Sequence, residues 1–187
     1  MTISPSAIRA YVSLGSNLGD RAGNLLLAVR GMMDAGLDVQ RLSHVYETAP
    51  VDVLDQPAFL NMVAGLRDTP LHPLPPADAL LARLLRIEYA LGRRRTANTS
   101  RGARTIDLDL LLYGNTISNT EFLQLPHPSL HLRRFALIPL AELAHGEMHP
   151  TLKRTIAHLL EATHDTSAVT LWRPDEAERA GDAESLS

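Results

Sequence analysis

The chain has 187 residues, 45% of them hydrophobic, and a formal net charge of −3, which suits one domain with a real core and argues against a general nucleic-acid binder or a membrane-surface protein. It has no cysteine, which excludes a disulfide framework and a thiolate metal site and fits a reducing compartment. No apolar run approaches the about 18 residues of a membrane span, and Met1 to Ala10 lacks the charged start and long apolar core of a signal peptide, so the cytoplasm is the expected location.

Ala10 to Leu14 reads as a short opening strand that ends in Gly15-Ser16-Asn17-Leu18-Gly19-Asp20. Asp20 is placed to cap a helix carrying Leu25, Ala28, Val29, Met32 and Met33 on one face, and Gly36 to stop it. Val39 to Glu47 is expected as a second strand, followed by a long loop through Asp55-Gln56-Pro57 that could cover a ligand. Phe59 to Leu66 reads as a third strand, with Leu60, Met62, Ala64 and Leu66 on one side and Phe59, Asn61 and Val63 on the other. An aromatic ring and an amide therefore share a face.

The proline-rich Pro70 to Pro76 stretch is a connector. From Asp78 a helix is predicted, with Leu80, Leu81, Leu84, Leu85 and Leu91 as its apolar stripe. Glu88 falls on that stripe, so its carboxylate needs an arginine or a ligand as partner, unless it reaches water at the stripe's edge. Gly92 is the predicted stop. Arg93-Arg94-Arg95 follow, then Arg101 and Arg104. Arginine forks match phosphate oxygens bidentately, and a basic loop is a sensible receptor for a polyphosphate tail. Only Lys153 among the 18 basic residues is lysine, so any single arginine, Arg94 above all, can equally be a solvated surface residue.

Arg104-Thr105-Ile106-Asp107-Leu108-Asp109-Leu110-Leu111-Leu112-Tyr113 sets two carboxylates two residues apart in a run otherwise apolar enough to be a buried strand. Side chains alternate along a strand, so Ile106, Leu108, Leu110 and Leu112 are expected on one face while Asp107 and Asp109 project from the other, roughly 6.5 Å apart. Two such charges repel unless a cation neutralises them, and a hard oxygen-seeking ion such as Mg²⁺ suits the pair. Alone, Asp-x-Asp on a solvated edge strand is the commoner meaning; the arginines beside it favour a metal and phosphate site.

After the Tyr113-Gly114-Asn115 turn, His127 lies between Pro126 and Pro128, a stiff loop that leaves its ring available to solvent or ligand. Leu130 to Arg134 leads into a helix through Leu143. Leu152, Ile156, Leu159 and Leu160 predict another helix, and Val169 to Trp172 a strand. Residues 1–173 are expected as one domain, and from Pro174 the acidic tail reads as disordered. Strands and helices interleave irregularly, which favours an α+β sandwich with a largely antiparallel sheet.

Five co-linear segments together resemble the 6-hydroxymethyl-7,8-dihydropterin pyrophosphokinase family. They are Val12-Ser13-Leu14-Gly15-Ser16-Asn17-Leu18-Gly19, Tyr46-Glu47-Thr48-Ala49-Pro50, Asp55-Gln56-Pro57-Ala58-Phe59-Leu60-Asn61, Gly102 through Leu111, and Leu125-Pro126-His127-Pro128 followed by Arg133 and Phe135. The resemblance implies a ferredoxin-like α/β sandwich acting as a monomer. It implies transfer of the β,γ-pyrophosphoryl group of ATP to a pterin alcohol in folate biosynthesis, with small-molecule partners and neither nucleic acid nor membrane. It implies two Mg²⁺ ions held by Asp107 and Asp109, and a catalytic role for both acids and Arg104. Phe59 and Phe135 match the aromatic pair around the pterin, Asn61 the amide that reads its edge, and Thr48 and Val51 positions contacting the same ring. Arg93, Arg95, Arg104, Leu110, His127 and Arg133 match nucleotide- and phosphate-contacting positions, and Glu88 an acidic residue on the ATP side. Arg101 stands where many members carry tryptophan.

The sequence opposes two rival readings. A two-metal nucleotidyltransferase also combines a Gly-Ser turn with an Asp-x-Asp strand, but there the turn lies close before the strand, whereas Gly15-Ser16 is some 90 residues upstream of Asp107. A ferredoxin-like RNA-binding module is opposed by aromatic scarcity, the acidic balance and the paired aspartates.

Overall fold

The first strand, β1 (Ile8–Ser16), lies between two neighbours, pairing antiparallel with β4 (Phe59–Arg67) on one side and β5 (Asp107–Tyr113) on the other. The computed structural model describes residues 8–49, 56–93 and 102–174. Val51, Arg94, Arg95, Arg101 and the tail at 175–187 lie outside the described residues. Helix α1 (Arg21–Asp34) starts at Asp20, whose carboxylate accepts from Gly23 N at 2.8 Å. Strands β2 (Asp38–Leu42) and β3 (Tyr46–Thr48) both pair with β4, α2 (Ala77–Ala90) precedes β5, and β8 (Val169–Leu171) extends the sheet beyond β3. The sheet order is β5-β1-β4-β3-β8 with β2 also on β4, antiparallel at every pairing. This is the expected α+β sandwich, with β1, α1, β2/β3, β4, α2 and β5 in ferredoxin-like succession. A small hairpin, β6 (Ser118–Asn119) with β7 (Gln124–Leu125), and a 3₁₀ turn at Leu130–Leu132 lead into α3 (Arg134–Ala144) and α4 (Ile156–Ala162). Among the described residues no helix is long and apolar enough to cross a membrane.

Four local expectations change, the first being Met33, which lies off the buried face of α1 and is 55% exposed. The single strand over Val39 to Glu47 is two, because the chain leaves the ladder at Ser43 and His44. Ser43 Oγ accepts from Val63 N at 2.9 Å, and His44 N–H donates to Glu142 Oε2 on α3 at 3.1 Å. Leu112 does not share a face with Leu108 and Leu110. A register shift pairs Tyr11 with Leu112 but Val12 with Leu110, so the extra residue, Leu111, inverts the alternation beyond it. The last helix begins at Ile156 rather than near Leu152, because Thr155 caps it, its hydroxyl accepting from His158 N at 3.2 Å.

Both sheet faces are covered. Leu14, Leu60, Leu66 and Leu108 meet Leu25, Met32, Leu80 and Leu84 of α1 and α2; each such leucine contributes about 1.5–3 kcal/mol by leaving water. On the other face Tyr11, Val63, Leu111 and Leu112 pack under Leu137, Leu140, Ile156 and Leu159 of α3 and α4. That second layer covers the Tyr11 end of the strands and leaves the Gly15, Asn61 and Asp107 end lining a cavity.

Candidate active site

Strand register assembles the floor of this cavity of about 360 Å³. Gly15 pairs with Asp107 on one side and Asn61 on the other, and Ser13 pairs with Asp109 and Val63. Two carboxylates and an amide from distant parts of the chain thus stand on one face, separated by a strand that shows only a glycine and a serine. Gly15 keeps the floor open, since a Cβ there would come within 3.1 Å of Asn61 Oδ1 and 3.9 Å of the Phe59 ring. Asn61 is 4% exposed and its Nδ2 donates to Thr48 Oγ1 at 2.8 Å, so the amide cannot swing and its oxygen stays over Gly15.

Phe59 and Phe135 are half-buried on the cavity walls, each with an arginine against its ring. The Arg104 guanidinium is 5.3 Å from the Phe59 centroid and that of Arg133 is 5.7 Å from Phe135. These are cation–π distances. Arg104 Nη2 also reaches Asp107 Oδ2 at 3.0 Å. Arg93 leaves the C-terminal end of α2 just after Gly92, whose φ of 91° only glycine adopts readily, and turns its guanidinium between Glu88 and Asp107.

Burial, together with the nearby charges of Asp107 and Glu88, pushes the Asp109 carboxyl up to about 7 against the opposing pull of Arg104 and Arg93. An all-oxygen donor pair in that field fits a hard divalent cation. Among the described residues no group of three or more histidine, cysteine, aspartate or glutamate side chains stands ready to hold a metal ion, so a cation here needs water or substrate oxygens to complete its shell.

His127 is set in place from both directions: its N–H donates to Leu111 O at 2.9 Å, and its ring Nδ1 accepts from Ser129 N at 3.2 Å. With Nδ1 accepting, the neutral ring carries its proton on Nε2, a donor for an anionic ligand. Burial and the positive charge of Arg133 lower its pKa to about 4, with Asp107 opposing.

The cavity therefore brings together Thr48, Phe59, Asn61, Arg93, Arg104, Asp107, Asp109, His127, Arg133 and Phe135. Two expected site residues lie elsewhere. Leu110 is buried in the core against the helices, because alternation turns it away from Asp109. Glu88 is 2% exposed and stands behind the cavity wall, where Oε1 accepts from Leu108 N at 2.7 Å and from Arg93. It is the partnered carboxylate of an apolar stripe. Ser13, Gln56 and Ser129 also line the cavity and were not singled out from sequence. Ser13 was legible, since alternation between Val12 and Leu14 turns it to the Asp109 face; Gln56 and Ser129 belong to loops with no period to read.

A sequence model of the 7,8-dihydro-6-hydroxymethylpterin-pyrophosphokinase (HPPK) family matches residues 11–145. The chain is 43% identical over 165 residues to the 2-amino-4-hydroxy-6-hydroxymethyldihydropteridine pyrophosphokinase of Bacillus subtilis, covering 88% of this chain and 90% of that one. It is 36% identical to the Haemophilus influenzae protein of the same name, over 88% of this chain and 98% of that one. It is also 40% identical to the folic acid synthesis protein fol1 of Pneumocystis carinii, where the match spans 85% of this chain but 21% of that longer protein. Among solved structures it resembles the wild-type HPPK-DHPS of Plasmodium falciparum with pteroate, with a TM-score of 0.60 and 16% identity over 86% of this chain and 43% of that one. That last likeness is one of fold.

Proposed function

The chain belongs to the 7,8-dihydro-6-hydroxymethylpterin-pyrophosphokinase family, and from that membership we propose that it transfers the pyrophosphoryl group of ATP to the hydroxymethyl oxygen of 6-hydroxymethyl-7,8-dihydropterin, releasing AMP, in folate synthesis. The observation that carries this reading to particular residues is the row Asn61–Gly15–Asp107. It puts an anchored amide and a carboxylate on either side of a glycine, so a flat ring read by Asn61 ends beside the acidic pair.

The oxygen of the alcohol gives up its proton to solvent and forms a bond to the β-phosphorus of ATP, as the bond from that phosphorus to the oxygen of AMP breaks and its electron pair leaves with AMP. Such a transfer depends on alignment and charge neutralisation more than on covalent help from protein. Phe59 and Phe135 supply the apolar walls that orient a heteroaromatic ring, each stacked partner contributing about 0.5–1.5 kcal/mol, while Asn61 and Thr48 read its polar edge. Arg93, Arg104 and Arg133 supply the charge that phosphate oxygens need, and His127 offers them its Nε2–H. The donor set of Asp107 and Asp109 fits Mg²⁺, which supplies charge neutralisation at the phosphates when bound.

The test is incubation with Mg²⁺ and ATP, with and without the pterin alcohol, and quantification of AMP and ADP. AMP that forms only when the pterin is present is the expected result. ADP as the product, or AMP independent of pterin, would overturn the proposal.

A further inference from the structure

Helix α3 presents Phe135 to the cavity from its first turn, yet it has no cap of its own. The residue before it, Arg133, offers no side-chain bond to the exposed N–H groups of that turn. An acceptor arrives from elsewhere in the chain: Asp165 Oδ2 accepts from Arg134 N at 2.7 Å, and Oδ1 of the same carboxylate accepts from Ser167 N at 2.9 Å. Arg134 answers with a longer bond from Nη1 to Ser167 O at 3.5 Å. The carboxylate thus faces the positive end of the helix dipole, where a negative charge is stabilising. Burial alone pushes its carboxyl up, but the bonds from Ser167 and Arg134 outweigh it and hold Asp165 below the usual carboxylate range.

The segment that carries Asp165 continues into β8, which pairs with β3 so that Val169 lies opposite Thr48. Thr48 in turn fixes the amide of Asn61. Two walls of one cavity, the Phe135 wall and the Thr48 wall, are therefore tied to the same few residues. Those residues follow position 145, where the family match ends.

We propose that Asp165 is a positioning residue for the ring-binding half of the cavity, acting as a long-range cap that sets where Phe135 stands relative to Phe59 and Asn61. This rests on the reading of the cavity as a pterin site. Removing the carboxylate leaves Arg134 N, at the first position of α3, without its acceptor, and the start of the helix frays or shifts with Phe135 on it. A gap of about 0.5–1 Å forfeits about a quarter to a half of each atom–atom contact in the stack.

The test compares Asp165→Ala, Asp165→Asn and Thr155→Ala, measuring melting temperature, the pterin Kd by calorimetry, and the Kd of a non-hydrolysable ATP analogue. Thr155→Ala removes the corresponding cap from α4, away from the cavity, and so reports what a lost cap does through stability alone. Asp165→Ala is expected to weaken pterin binding about tenfold, against about twofold or less for the ATP analogue and for Thr155→Ala. Asp165→Asn keeps an oxygen for Arg134 N and is expected to restore most of the pterin affinity. An unchanged pterin Kd in folded Asp165→Ala, or an equal loss in Thr155→Ala, would overturn this inference alone. Failure of the unaltered protein to bind pterin would overturn the function reading and this inference with it.

Discussion

Asn17 and Arg104 hold each other through two bonds, the side-chain oxygen of Asn17 accepting from the Arg104 backbone N–H at 2.7 Å and the Asn17 backbone N–H donating to the Arg104 carbonyl at 3.1 Å. The same side chain, 1% exposed, donates from Nδ2 to Gln56 Oε1 at 3.2 Å and to Pro57 O at 3.1 Å. One amide thus ties the segment entering β4, which carries Phe59 and Asn61, to the segment entering β5, which carries Asp107 and Asp109.

Asn17→Ala takes a side-chain partner from Arg104 N, Gln56 Oε1 and Pro57 O, groups that are half-buried or exposed, at a cost of about 0.5–1.5 kcal/mol for each bond. The expected outcome is a fall of several kcal/mol in unfolding free energy by urea denaturation and a loss of turnover larger than that of either substrate's affinity. Unchanged turnover in the folded variant would show that the two segments are set independently.

Asn61→Ala is expected to weaken pterin binding by about 1–3 kcal/mol, the range for a polar site that loses its partner. ATP-analogue binding should change little, because Asn61 stands on the far side of Gly15 from Asp107. Calorimetry with each ligand separates the two, and equal effects would move Asn61 out of the pterin site.

Asp107→Asn and Asp109→Asn should each lower turnover by about a hundredfold to a thousandfold, the range seen when a charge-stabilising group is removed, and Mn²⁺ binding followed by paramagnetic resonance should weaken with it. Metal-free stability should separate them. Asp107 is paired with Arg93 and Arg104, so its neutralisation lowers the melting temperature, whereas Asp109 stands in the negative field of Asp107 and Glu88 and its neutralisation leaves the melting temperature level or higher.

His127 gives stability a pH dependence. Its folded pKa is about 4, below the 6.5 of an unperturbed ring, so between these values the unfolded chain binds a proton that the folded chain does not. Stability from this residue is fully present above 6.5, is lost as pH falls toward 4, and changes no further below it. A loss of the order of 1–3 kcal/mol across the window is expected. In His127→Asn, whose Oδ1 can still accept from Ser129 N, that part of the slope should disappear from urea titrations at pH 7, 6, 5 and 4.

Much of the molecule was legible locally. Leu60, Met62, Ala64 and Leu66 against Phe59, Asn61 and Val63 is a period of two that admits one face assignment, and Asp20 and Gly36 bracket a helix by their own backbone chemistry. The paired aspartates on a strand and the arginines before them were visible for the same reason: spacing along one element is a property of neighbours in sequence.

What tertiary structure alone decided was set by contacts the chain makes with distant parts of itself. Asp107 and Asn61 become neighbours because β1 is inserted between their strands and offers a glycine at the row they share. Leu111 inverts the alternation because an antiparallel partner fixes the register. Glu88 turns inward because Leu108 N and Arg93 are there to meet it, and Asp165 caps a helix that begins 31 residues earlier. Periodicity specifies which side chains share a face of one element; which faces meet is decided by the joint burial of apolar surface and the pairing of every buried donor with an acceptor, conditions that only the whole folded chain satisfies.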